Sequence, residues 1–250
     1  MLIFVAALQS PEVSADWTRV SKLCDRTLRS MCGQSNSDFR VILVCNRAPL
    51  GDYSHPNLDI IEEPFAIPAN DTGSRMNDKW LKLKRGLIAA RQYAPAHIMI
   101  ADADDCVHRD LAAFAARSPI SQGWQFDKGF IYDEGSRWLF RSSGFDRLCG
   151  SSAIVRLEEH DFPQAMSDPI DPYFILCNGH GVIADYMRDR GTPLEPLPFP
   201  GAVYVTATGE NDSQMALRNW RGKRMMLRKL MRSRLLTRRM RRLYGITELH

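Results

Sequence analysis

A short apolar run that stops at three carboxylates constrains this chain more than any other stretch. From His97 to Val107 the sequence reads His-Ile-Met-Ile-Ala-Asp-Ala-Asp-Asp-Cys-Val. Ile98-Met99-Ile100 is too short and too uniformly apolar for a lone amphipathic helix, and it reads as a buried strand. A strand that ends in Asp102, Asp104 and Asp105 delivers them to a sheet edge, where open α/β sheets bind ligands. Carboxylates gathered at one point repel each other and need a compensating charge. A divalent cation on oxygen ligands, shared with a phosphate-bearing substrate, is one answer. The other is an acidic turn capping a helix that begins near Asp105 or Arg109, because Asp is a favoured N-cap.

The rest of the chain is punctuated like an α/β protein. Leu2 to Leu8 is a continuous apolar run, as a central parallel strand requires. Ser14 is placed to cap a helix carrying Trp17, Val20, Leu23, Cys24, Leu28 and Met31 at helical spacing, which Gly33 ends. Phe39 to Cys45 and Asn57 to Ile61 read as further strands, with right-handed crossovers expected. Pro64 to Asp78 reads as a loop carrying Arg75. The helix after it holds Trp80, Leu83 and Leu87 and ends before Pro95. Beyond the acids the sequence predicts a short helix at Leu111 to Ala116. A hairpin of Trp124 to Tyr132 with Ser136 to Phe140 follows, turning at Asp133-Glu134-Gly135. A tight turn at Gly150-Ser151-Ser152 then opens into a strand. A helix starting near His180 runs to Gly191, and two short strands lie at Leu194 to Leu197 and Ala202 to Thr206.

With 250 residues the chain suits one large α/β domain or two small ones. Its six cysteines are scattered without a C-x-x-C pair, which argues against a zinc site or a disulfide framework and for reduced thiols in the cytoplasm. The apolar run at Met1 to Leu8 is too short to span a bilayer. The net charge of +4 hides an asymmetry. Arg218 to His250 carries twelve Lys or Arg and one acid, so Met1 to Leu217 keeps 21 basic and 28 acidic residues. The division expected is therefore a mildly acidic domain over residues 1–217 and a basic helical tail over 218–250.

The order of these parts resembles the GT-A fold of nucleotide-sugar glycosyltransferases over roughly residues 1 to 210. Asp102-Ala103-Asp104 matches that fold's Asp-x-Asp motif, and Asp105 extends it to the Asp-Ala-Asp-Asp form common in family 2 enzymes. Gly129 through His180 also looks like a bacterial rhamnosyltransferase group. The resemblance implies an α/β fold with a mixed sheet, a parallel amino-terminal nucleotide-binding half and helices on both faces. It implies Mn²⁺ or Mg²⁺ held by Asp102 and Asp104, with Asp102 also toward the nucleotide and His180 a further metal ligand. It places Gln9 where the nucleotide pocket begins. It makes Arg75 and Lys82 phosphate or nucleotide contacts, unless they are solvated surface charges. It sets Gly150 and Ser151 beside the donor sugar, unless they form a plain tight turn. The donor would be a UDP- or dTDP-sugar, transferred to a glycan or lipid-linked acceptor, with inversion the family-level expectation.

One departure concerns the base. The Glu-Asp pair such enzymes carry is replaced by Cys177-Asn178-Gly179-His180-Gly181. His180 can serve as base, since imidazole transfers protons near neutral pH, with Asp168 and Asp171 as carboxylate alternatives. The basic tail reads as an interfacial segment drawn to an anionic membrane surface through residues 218–244, on the cytoplasmic side, or as a solvated or oligomer-packing helix. Its sparse aromatics disfavour nucleic acid. Two other classes stand beside the transferase: a nucleotidyltransferase, and a non-catalytic adaptor binding nucleic acid or membrane through the tail.

Overall fold

Two mixed sheets share the chain, and the aspartates sit at the corner between them. The computed structural model describes residues 1–169, 181–210, 217 and 231–249. The first sheet begins with β1 (Leu2–Ala7), β2 (Phe39–Cys45) and β3 (Leu58–Glu62), and continues after a helix with β4 (Ala96–Asp102). These four strands run parallel in the spatial order β4-β1-β2-β3, with Ala7 beside Asp102 in register. The sheet is extended beyond β4 by β9 (Ala153–Leu157), antiparallel to β4, then by β6 (Gly123–Gln125) and β10 (Glu195–Pro196). β1 and β4 are buried almost throughout, which is why they read as continuous apolar runs.

Helices cover both faces, as the α/β reading expects. The helix α1 (Trp17–Cys32) packs Val20, Cys24 and Leu28 against Leu2, Phe4 and Ala6 of β1, and α3 (Leu111–Ala116) lies on the same face. On the other face α2 (Thr72–Ala90) sets Leu83 and Leu87 against Ile3 and Val5, with α4 (Ile183–Asp189) contributing Met187. The approach of α2 to the sheet depends on Gly86, where a Cβ would come within 2.4 Å of Val5 Cγ1. Asp16, not Ser14, caps α1, accepting from Arg19 N at 3.0 Å. α2 starts at Thr72, earlier than expected, because Asp71 caps it through Ser74 N at 2.9 Å. Arg75 is therefore on a helix rather than a loop.

The chain leaves β4 at Asp102 and enters β5 (Cys106–Val107) four residues later, in the second sheet. That sheet also contains β7 (Lys128–Asp133), β8 (Trp138–Ser143), β11 (Ala202–Thr206) and β12 (Ser233–Leu235), in the order β12-β8-β7-β11-β5. The hairpin expectation holds for β7 and β8 only. Trp124 belongs to β6 in the first sheet, so the run Trp124 to Tyr132 is divided between two sheets. The carboxy-terminal segment also differs from the helical tail expected. Among the described residues, Ser233–Leu235 is a strand paired with β8, and the helix Arg238–Tyr244 follows it. Leu236, Tyr244 and Ile246 are buried against Phe130, Tyr132 and Leu139, and Tyr244 Oη donates to Pro200 O at 2.8 Å. Residues 218–230, where most of the remaining tail charge lies, are outside the described residues.

Candidate functional site

The first sheet has a reversal of strand order at β1: β2 and β3 lie to one side and β4 to the other. A crevice outside the carboxyl ends of the strands is expected at such a point. A cleft of about 320 Å³ opens there, reached by Leu8 and Gln9 after β1 and by Asp102, Ala103 and Asp104 at the end of β4.

The cleft has two unlike ends. One wall comes from α2, whose Arg75, Lys79 and Lys82 recur at i, i+4 and i+7 and so share a helix face. Lys79 ion-pairs with Asp102 across the cleft. Burial acts to lower the Lys79 ammonium, but Asp102, helped by Asp104 and Asp105, more than offsets it and holds the group above its ordinary value. Lys82 is the exception on this face. It is fully buried, donating to Asp78 Oδ2 at 2.6 Å and Leu8 O at 3.0 Å, so it ties α2 to the end of β1. The lining is otherwise largely apolar, with Val13, Val20 and Leu23 from the α1 side, Pro68, Met76 from α2 and Tyr204 from β11.

The three aspartates separate in role. Asp102 is partly exposed and faces Lys79, with its carboxylate packed over Gly150. A Cβ at Gly150 would lie 2.6 Å from Asp102 Oδ2, so a larger residue would displace the acid. Asp104 lines the cleft, and burial, with Asp102 beside it, pushes its carboxyl up to about 7. Asp105 is turned away from the cleft and completely buried. It accepts from Ser151 Oγ at 2.7 Å, Cys149 Sγ at 3.1 Å and Val205 N at 3.0 Å. Burial, then Asp104 and Asp102, push its carboxyl well above the usual range. It caps no helix, since α3 begins six residues later. Ser151 is likewise buried behind the acids, accepting from Asp102 N at 2.9 Å while donating to Asp105.

Of the residues singled out from sequence, the cleft brings together Gln9, Arg75, Lys82, Asp102, Asp104 and Gly150. Asp168 does not line it; its carboxylate closes a loop by accepting from Gln164 N and Ala165 N, and its carbonyl accepts from Lys84. His180 and Asp171 lie outside the described residues. Lys79, Tyr204 and Glu210 were not anticipated as site residues. For Lys79 the signal was available in its i+4 spacing from Arg75. For Tyr204 and Glu210 there was none, because the second sheet brings them in from about a hundred residues beyond the acids.

Among the described residues no group of three His, Cys, Asp or Glu side chains could hold a metal ion. Asp102 and Asp104 offer hard oxygen donors at the cleft, with Lys79 paired to Asp102. That donor set fits Mg²⁺ or Mn²⁺ shared between two carboxylates and a ligand's phosphates. It does not fit a cation held by protein side chains alone.

No protein-family model matches the chain, and no curated protein matches it. Among solved structures the chain is similar to the Francisella tularensis 2-C-methyl-D-erythritol 4-phosphate cytidylyltransferase. The likeness has 11% identity and a TM-score of 0.40, over 84% of this chain and 93% of that one. A likeness that distant carries no argument about chemistry. The expected family is nonetheless corrected: no family model and no curated protein supports a glycosyltransferase, and the solved structure named above is a cytidylyltransferase. The family 2 and rhamnosyltransferase groupings and sugar transfer to a glycan or lipid-linked acceptor are set aside with it. The motifs that carried the resemblance have local explanations. Asp105 and Ser151 clip the corner between the sheets, and Gly150 makes room for Asp102, whatever reaction the cleft serves. No helix among the described residues is long and apolar enough to cross a membrane.

Proposed function

We propose that the cleft binds a nucleotide, and that the protein is a nucleotidyltransferase joining a nucleoside triphosphate's α-phosphate to an oxygen of a second substrate. The observation that carries this reading is the two-ended cleft at the β1/β4 reversal. Its apolar wall of Val13, Val20, Leu23 and Tyr204 suits a base and sugar, while Arg75, Lys79, Asp102 and Asp104 suit a phosphate chain with its cation. The distant likeness to a cytidylyltransferase adds no weight to it.

No Ser, Cys or His lines the cleft among the described residues. In this reading the attacking oxygen belongs to the second substrate, and the chain's part is to orient the phosphates and compensate their charge. The new bond is between that oxygen and the α-phosphorus. The bond broken is from the α-phosphorus to its bridging oxygen, and pyrophosphate leaves. Lys79 is held charged by its carboxylate neighbours and would exchange its bond to Asp102 for one to a phosphate oxygen. Arg75, one turn earlier on α2, extends the positive surface toward the leaving group. A divalent cation between Asp102, Asp104 and the phosphates would neutralise the charge that develops on pyrophosphate. The phosphate-binding loop expected after β1 in such an enzyme is absent from Gln9-Ser10-Pro11-Glu12, and the cations of α2 stand in its place.

The test is product analysis with triphosphates labelled at the α-phosphate, Mg²⁺ and a panel of alcohols and sugar phosphates as acceptors. The expected products are nucleotidylated acceptor and pyrophosphate, lost in Lys79→Met. Release of orthophosphate with nucleoside diphosphate would contradict the assigned reaction.

A further inference from the structure

We propose that Gln9 is a specificity-determining residue that selects nucleobases carrying an exocyclic amino group on the Watson–Crick edge, such as cytosine. This rests on the nucleotide reading of the cleft. Gln9 directly follows the end of β1, and both Gln9 and Glu210 line the cleft. A glutamine amide is ambiguous until its partners are known, since it offers two donors on one side and an acceptor on the other. Here the partner settles it. Gln9 Nε2 donates to Glu210 Oε2 at 3.1 Å, and a carboxylate can only accept from it.

Glu210 is itself held in place. Its Oε1 accepts from Asp16 N at 2.9 Å and its Oε2 from Ala15 N at 3.2 Å, at the entry to α1. Just before it, Thr208 is buried and its carbonyl accepts from Arg19 Nε. The segment between β11 and Glu210 is thus anchored at two points on α1, and rotating the Gln9 amide would break its bond to a fixed carboxylate. Gln9 Oε1 is the other atom of the amide, and among the described residues it has no hydrogen-bond partner. Leu8 and Val13 line the same cleft.

A base seated against Gln9 meets a fixed acceptor. Cytosine N4 donates to it. Uracil presents a carbonyl at the same place and sets two acceptors against each other. An unmade or repulsive polar contact of this kind costs enough to discriminate by about tenfold or more.

The experiment is calorimetric titration of the full-length protein with CTP and UTP in Mg²⁺, followed by Gln9→Ala and Glu210→Gln. The wild-type protein is expected to bind CTP at least about tenfold more tightly than UTP. Gln9→Ala should bring the two within a few-fold. Glu210→Gln should do the same while leaving the Gln9 side chain in place, because an amide partner permits the flipped orientation. Equal binding of CTP and UTP by wild type, or tighter UTP binding, overturns the role of Gln9 while leaving the nucleotide reading standing. Failure of wild type to bind CTP, UTP, ATP or GTP overturns both.

Discussion

Asp102, Asp104 and Asp105 are indistinguishable in sequence and differ completely in surroundings. Asp102 meets a lysine, Asp104 faces the cleft and Asp105 is enclosed. The strand that delivers them was legible from Ile98-Met99-Ile100, because burial on both faces leaves an unmistakable apolar run. The split among the acids was not, because it depends on Val205 and Ser151, which reach Asp105 from elsewhere in the chain. Asp105 should accordingly matter for stability rather than chemistry. Asp105→Ala leaves the Val205 amide and the Ser151 hydroxyl without their shared partner, and it should lower unfolding free energy by about 3 kcal/mol. Urea denaturation measures this, and a loss under about 1 kcal/mol would show that the clip contributes little. Lys82, read from sequence as either a phosphate contact or a solvated charge, lines the cleft but is buried and bonded to Asp78 and Leu8. Lys82→Met strands the Asp78 carboxylate in a buried site and should cost about 3 kcal/mol, much of it recovered in Lys82→Met with Asp78→Leu. Additive losses in the double variant would mean the pair does not act as a unit.

At the scale of elements, local chemistry explains what could be read. β1, β2, α1 and α3 follow from apolar periodicity, and α2 was misread only at its start, where Gly73 and Asn77 suggested a loop while Asp71 in fact caps a helix. The carboxy-terminal segment was read by composition as a basic tail. Its three-residue strand is too short to show a pattern, and its burial depends on the second sheet. Removing residues 231–250 should therefore expose Phe130, Tyr132 and Leu139. With Leu236, Tyr244 and Ile246 each contributing roughly 2 kcal/mol of burial, the truncated protein should be strongly destabilised. A truncated protein that unfolds at the same urea concentration as the full chain would contradict the docking. A finer probe is Tyr244→Phe, which loses only the bond to Pro200 O and should cost about 1 kcal/mol.

For the molecule as a whole, two buried histidines contribute a pH dependence of stability. Burial foremost lowers the imidazoles of His97, stacked against Trp124, and His108, packed between Phe199 and Tyr244. The unfolded chain takes up protons near the ordinary imidazole value of about 6.5, while the folded chain resists them. Protons therefore favour the unfolded state, and the histidines' contribution is lost as pH falls through that range. Asp104 and Asp105 act in the opposite sense over this range, because their raised carboxyls take up protons in the folded state. The histidine part is therefore read as a difference, the urea midpoint of His97→Gln rising relative to wild type as pH falls from 7.5 to 5.5, and a pH-independent difference would assign the effect elsewhere. At this scale the sequence made the sheet edge and its acids visible. It could not show a cleft whose apolar wall joins Val20 of α1 to Tyr204 of the second sheet, since that wall exists only once the chain has turned the corner at Asp102. The account stands on that cleft being a nucleotide site, and one measurement addresses it directly: calorimetric affinity for CTP against cytidine in Mg²⁺, in wild type and in Lys79→Met. The expected result is a triphosphate bound at least about tenfold more tightly than its nucleoside, with the difference collapsing in the variant. Equal affinity for CTP and cytidine in the wild-type protein would contradict it.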